Sequence, residues 1–91
     1  MSLILCETSP GLRDSEIIAT VRDITGRRHY IRVERDFLTQ RIGKDYLPIG
    51  IVHIDPKTQA VLIEFSHEPD SGYNRIWINQ NQLDQPVEAY A

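Results

Sequence analysis

Along most of this chain apolar and polar residues alternate with a period of two, which predicts strands rather than helices. From Glu16 to Ile24, Ile17, Ala19 and Val21 alternate with Thr20 and Arg22, the pattern of a half-buried strand. Thr25-Gly26 follows, and glycine supplies the positive φ that a tight hairpin turn needs. Arg28–Glu34 returns with Ile31 and Val33 on one face and Arg28, Tyr30, Arg32 and Glu34 on the other.

The stretch Tyr46 to Ile78 is the most apolar and β-branched, so it is expected to supply most of the core. Leu47–Ile54 is apolar on both faces, with Ile49 and Ile51 on one and Val52 and Ile54 on the other. Gly50 in its middle marks a bulge or bend. Asp55-Pro56-Lys57-Thr58 has Asp first and Pro second, as a type I turn prefers, and Ala60–Phe65 pairs back. The polar loop Ser66–Gly72 leads to a strand Tyr73–Ile78, with Asn74, Ile76 and Ile78 on one face and Tyr73, Arg75 and Trp77 on the other.

The period changes in three places. Across Arg35–Asp45, Asp36 is a helix N-cap, Leu38 and Ile42 are spaced i,i+4, and Gly43 is a C-terminal stop, which predicts one or two helical turns. Near the start, Leu3-Ile4-Leu5-Cys6 is a short apolar run broken by Pro10-Gly11, so residues 1–15 read as an arm. Such an arm either folds onto its own domain or adds a strand to an edge, including an edge of a second subunit. Near the end, Asn79 caps a turn through Gln80–Gln82, Leu83 plugs the core, and Val87–Tyr90 is a short last segment.

These elements predict a mainly β chain. The expected fold is a small antiparallel barrel of five to six strands with one or two short helical turns, formed by residues 16–91 behind the arm. The segment Arg28–Tyr90 resembles the Src-homology-type small β-barrel superfold in its order of parts. The matching parts are the Asp55–Thr58 distal turn, the strand Tyr73–Ile78, the turn Asn79–Leu83 and the closing strand Val87–Tyr90. The peptide-binding form of that superfold has paired aromatics in its first strand and a tryptophan pair after an acidic loop. This chain has one Trp, near its end, so those binding residues do not carry over. The superfold serves many functions, and the resemblance implies architecture only.

A chain of 91 residues makes one domain with one modest core. Its single cysteine, Cys6, cannot form an internal disulfide, which favours a reducing, cytoplasmic setting. No apolar run approaches the roughly 20 residues of a membrane span. The formal charge of −3 argues against a general nucleic-acid binder, but the charge is uneven. Residues 1–46 carry eight Arg/Lys and seven Asp/Glu, net +1; residues 47–91 carry two and six, net −4.

Two surfaces stand out. Tyr73, Arg75 and Trp77 share a strand face, with His67 and Asp70 in the loop before them, and Trp, Tyr and Arg are the types enriched at interface hot spots. This makes a protein-partner surface the leading expectation. The alternative is a nucleic-acid face of Arg22, Arg28, Tyr30 and Arg32, with Tyr for stacking and Arg for phosphate. His53-x-Asp55 and His67-x-x-Asp70, with His29 and Glu68, supply metal-ligand types but not the convergent spacing of a zinc site, so no metal or cofactor is expected. Cys6 sits in an apolar run where a thiol is inert, and no serine has a nucleophile-elbow context, so no enzyme is expected. A homodimer through the arm or a strand edge completes the expected partners.

Overall fold

The computed structural model describes residues 2–87. It is one antiparallel, strongly curled sheet with two 3-10 turns. The strands are β1 (Ser2–Pro10), β2 (Glu16–Arg22), β3 (Arg28–Glu34), β4 (Thr39–Arg41), β5 (Lys44–Ile54), β6 (Val61–Phe65) and β7 (Arg75–Ile78). The 3-10 turns are Arg35–Phe37 and Gln80–Gln82. The sheet order is β3-β2-β1-β5-β6-β7, with β4 also paired to β5. Among the described residues no helix is long and apolar enough to cross a membrane.

The alternation read from the sequence sets which side faces in. In β2 and β3 the inward positions Ile17, Ala19, Val21, Ile31 and Val33 are all buried, and their neighbours are not. Leu47, Ile49, Val61, Ile63, Ile76 and Ile78 close the same core from β5, β6 and β7. The curl brings the far ends of the sheet together. The Ile24 N–H, just past β2, donates to the Trp77 carbonyl at 2.8 Å, and the Asp70 N–H donates to the Tyr30 carbonyl at 2.9 Å.

Residues 2–10, read as an arm, form a strand in the middle of the sheet. β1 divides its pairing: Ser2–Cys6 match Ile49–Asp45 of β5, and Glu7–Pro10 match Thr20–Ile17 of β2. Where β1 leaves β2, the end of the chain covers it, through an Ile4–Leu83 bridge and a bond from the Asp84 N–H to the Leu3 carbonyl at 3.0 Å. The strand is therefore held within its own sheet. The apolar run is explained by burial of Leu3, Ile4 and Cys6.

The helical turns expected across Arg35–Asp45 shrink to the single 3-10 turn, and the rest is the β4–β5 hairpin. Ile42 and Gly43 are its two loop residues, with φ of 53° and 74°, and Arg41 faces Lys44 across the turn. Gly43 thus turns a hairpin instead of stopping a helix. Ile42 projects fully exposed, so the Leu38–Ile42 spacing was no buried helical face.

The break in β5 falls at Val52, not at Gly50. Gly50 pairs normally with Glu64, whereas the register shifts between Ile51 and His53, leaving Val52 as the extra residue of a bulge. The bulge returns Ile54 to the inner face opposite Val61, beside Ile49 and Ile51. Val52 and Ile54 therefore do not share a face, as the simple alternation had it. The distal turn is held by Asp55, whose carboxylate accepts from the Lys57 N–H and the Thr58 hydroxyl, both at 2.9 Å. Of the expected closing strand Val87–Tyr90, residues 88–90 lie outside the described residues. Val87 is tied to Gln80 by two hydrogen bonds.

Cys6 is buried among these strands, and its thiol is pushed up to about 12 by burial and by the Asp45 charge. A thiol so protonated is a poor nucleophile. The native protein is expected to react with a soluble disulfide reagent only as fast as it opens, and reaction should become immediate in 6 M guanidinium; prompt labelling of the native protein would contradict this placement.

Candidate functional site

Ile76 and Ile78 point into the core, which turns Arg75 and Trp77 outward. The indole is 38% exposed and carries an apolar row across three strands: His53, Leu62 and Trp77 lie side by side. The His53 ring meets the indole edge-on at 6.1 Å, a placement that depends on the Val52 bulge. Arg75 pairs with Glu64 opposite it, at 3.4 Å. Tyr73 lies just before β7 and is 52% exposed.

The curl sets this strand against the β2–β3 turn, and a cleft of about 200 Å³ lies between them. Ile24, Ile76, Tyr73 and Trp77 give it an apolar lining, and Arg27 and Arg75 stand at its rim. The Arg27 guanidinium lies over the Tyr73 ring, 4.9 Å from its centre, a cation–π contact that fixes both. A larger groove of about 360 Å³ lies on the other side of the same turn, where β1 parts from β2, between Leu5, Thr20, Arg22 and Gln82.

Beneath the cleft sits a buried polar chain that the sequence reading did not assemble. His29 occupies an inward position of β3 and is 1% exposed. Its Nε2 lies 2.8 Å from Asp23 Oδ2 and its Nδ1 lies 2.7 Å from Ser71 Oγ. A carboxylate only accepts, so Nε2–H donates to Asp23; in the neutral ring Nδ1 then accepts from the Ser71 hydroxyl. Ser71 Oγ in turn accepts the Tyr73 N–H at 3.4 Å. Asp23 Oδ1 accepts from the Thr25 N–H, the Thr25 hydroxyl and the Arg27 N–H, which shapes the turn that Gly26 completes at φ 87°. Burial pushes the Asp23 carboxyl up, but the bonds from His29, Thr25 and Arg27 outweigh it and bring it down to about 2. Among the described residues no buried side-chain nitrogen or oxygen lacks a partner.

Aspartate, histidine and serine in sequence can also activate a nucleophile. Ser71 lines neither the cleft nor the groove beside it, and its oxygen already takes a backbone N–H. The three groups tie the β2–β3 turn, β3 and the 66–72 loop together, and so set the shape of the cleft above.

Of the residues expected at a partner surface, Tyr73, Arg75 and Trp77 come together in the cleft. His67 and Asp70 do not join them. The His67 ring packs edge-on against Phe37 at 4.9 Å, and Asp70 is used through its backbone on Tyr30. Arg22, Arg28, Tyr30 and Arg32 share the outer face of the β2–β3 hairpin. Asp23 and Ile24 were not read as site residues, Ser71 only as part of the polar loop, and His29 only as a metal-ligand type. The available signal was the period itself, which puts His29 in register with Ile31 and Val33. Comparison with family models, with curated proteins and with solved structures finds no match to the chain.

Proposed function

We propose that the protein is a non-catalytic interaction module that takes a short peptide segment of a partner protein in the Tyr73–Trp77 cleft. The observation that carries this is the convergence of an exposed Trp, an exposed Tyr and two Arg on an apolar recess whose walls are pinned from below by His29. Pinned walls lower the ordering cost of binding. The volume of about 200 Å³ is small beside the roughly 300–1,000 Å³ of small-molecule sites, and it suits one or two side chains. Arg27 and Arg75 at the rim favour a carboxylate next to the buried group. The ligand is thus a segment with an aromatic or aliphatic residue close to Asp or Glu.

The order of parts supports an Src-homology-like barrel as the scaffold. The distal turn after β5, the 3-10 turn Gln80–Gln82 after β7, and the return of Leu83 to β1 follow in that sequence. The fold is not itself an argument for peptide binding.

Trp77 is the only tryptophan, so its emission reports on the cleft. Panning a random peptide library against the protein is expected to enrich segments of the stated chemistry, and these should shift Trp77 emission on binding. By calorimetry Trp77→Ala should weaken them by at least about 2 kcal/mol, roughly 30-fold. Peptides that bind Trp77→Ala as well as wild type would rule the cleft out as the site.

A further inference from the structure

The outer face of the β2–β3 hairpin carries charge that the fold leaves uncompensated. Arg22 stands directly opposite Arg28, and Tyr30 and Arg32 follow at alternate positions, opposite Thr20 and Ile18. Like charges directly opposed across a strand pair are destabilising. Of the other arginines, Arg13 pairs with Glu16 and Glu34, Arg41 with Asp84 and Arg75 with Glu64, while Arg35 donates to the Asp14 carbonyl and Arg27 lies over the Tyr73 ring. Arg22, Arg28 and Arg32 have no ion-pair partner among the described residues.

The nearby acids form no ion pair with these arginines, Asp70 included, although its N–H bonds the Tyr30 carbonyl. Glu16 and Glu34, at the far end of the ladder, are held by Arg13. Asp23 is turned inward onto His29. Glu7, beside Thr20 on β1, bridges to none of the three. In the middle of the group Tyr30 is 42% exposed, with Arg28 and Arg32 on either side along the strand.

We propose that this face binds single-stranded nucleic acid, with Arg28 and Arg32 on phosphates to either side of a base stacked on Tyr30 and Arg22 adding a third phosphate contact beside Arg28. Alternate residues on one strand face are about 6.6 Å apart, so Arg28 and Arg32 flank Tyr30 along β3, and Arg22 sits beside Arg28 on β2. An exposed aromatic between them favours a single strand, whose bases are free to stack, over a duplex, whose bases are already stacked. None of these side chains lines the Tyr73–Trp77 cleft.

The test is fluorescence anisotropy with labelled oligouridylate, oligothymidylate, the matching duplex and polyglutamate, from 20 to 200 mM salt. Binding of the single strands is expected, with log affinity falling against log salt at a slope of about −2, as three phosphate contacts require. Tyr30→Ala should lower the affinity about 5- to 150-fold and leave the slope unchanged. Combined Arg22→Gln, Arg28→Gln and Arg32→Gln should abolish the slope, while circular dichroism shows an intact fold. No binding at 20 mM salt, equal or better binding of duplex or polyglutamate, or a Tyr30→Ala variant that binds like wild type would each overturn the proposal. Trp77→Ala should leave this binding unchanged; loss in that variant would also count against a face separate from the cleft.

Discussion

Replacing His29 with leucine should destabilise the protein by about 2–4 kcal/mol, because it strips partners from two shielded polar groups at once. Leucine fills the space but neither donates to Asp23 nor accepts from Ser71, which now bond the ring at 2.8 and 2.7 Å. An unmet buried donor or acceptor costs about 1–3 kcal/mol, more where it is charged. The loss should appear as a lower urea midpoint followed by Trp77 emission; a midpoint within 0.3 M of wild type would show that the chain of bonds contributes little. The pH profile supplies a second readout. In the folded state the Asp23 carboxyl lies at about 2, against 3.8 for the free group. A depressed acid stabilises the fold where the unfolded chain would already be ionised. Its contribution is therefore complete above about pH 4 and is lost as pH falls toward 2. In His29→Leu one of the bonds that lowers Asp23 is gone, so the decline over that window should be shallower than in wild type.

Ile42→Asn is expected to act in the opposite sense and raise stability by about 1–2 kcal/mol. Ile42 holds φ at 53°, a left-handed conformation that costs an L-residue roughly 1–2 kcal/mol and suits β-branched side chains least. Two-residue turns of this kind favour Asn followed by Gly, and Gly43 is already in the second place. The isoleucine is fully exposed, so no packing is lost in exchange. Chemical denaturation of the single variant decides the matter, and a midpoint that stays level or falls would mean the turn is not strained by its side chain.

Strands whose two faces differ were readable from residue order alone. Ile17, Ala19 and Val21, then Ile31 and Val33, mark one side so regularly that both elements and their inward face follow. Ile76 and Ile78 likewise fix Trp77 outward. Reading failed where a strand serves two ladders or where turn chemistry is atypical. β1 is buried at Leu3, Ile4 and Cys6 and exposed from Glu7 to Pro10, so no single period describes it. The β4–β5 turn lacks the usual Asn-Gly, and Leu38 with Ile42 imitated a helical face. Gly50 drew attention from Val52, whose extra place in the ladder leaves no mark in its own side chain. The cleft was half visible: β7 supplies Tyr73, Arg75 and Trp77. The other wall comes from a turn some fifty positions earlier, and the Ser71–His29 bond joins residues 42 apart. Only closure of the sheet brings those together.

The divided pairing of β1 bears on how the chain acquires its structure. Cys6 lies against Asp45, 39 positions away, so the Ser2–Cys6 half of β1 has no sheet partner until β5 has been made, whereas its Glu7–Pro10 half meets β2 locally. The local pairings β1–β2, β2–β3 and β5–β6 can zip early, and docking Ser2–Cys6 onto β5 is then the slow, long-loop event. Until that moment Leu3, Ile4 and Cys6 stay uncovered, and this is the stage at which a nascent chain would be most exposed to self-association.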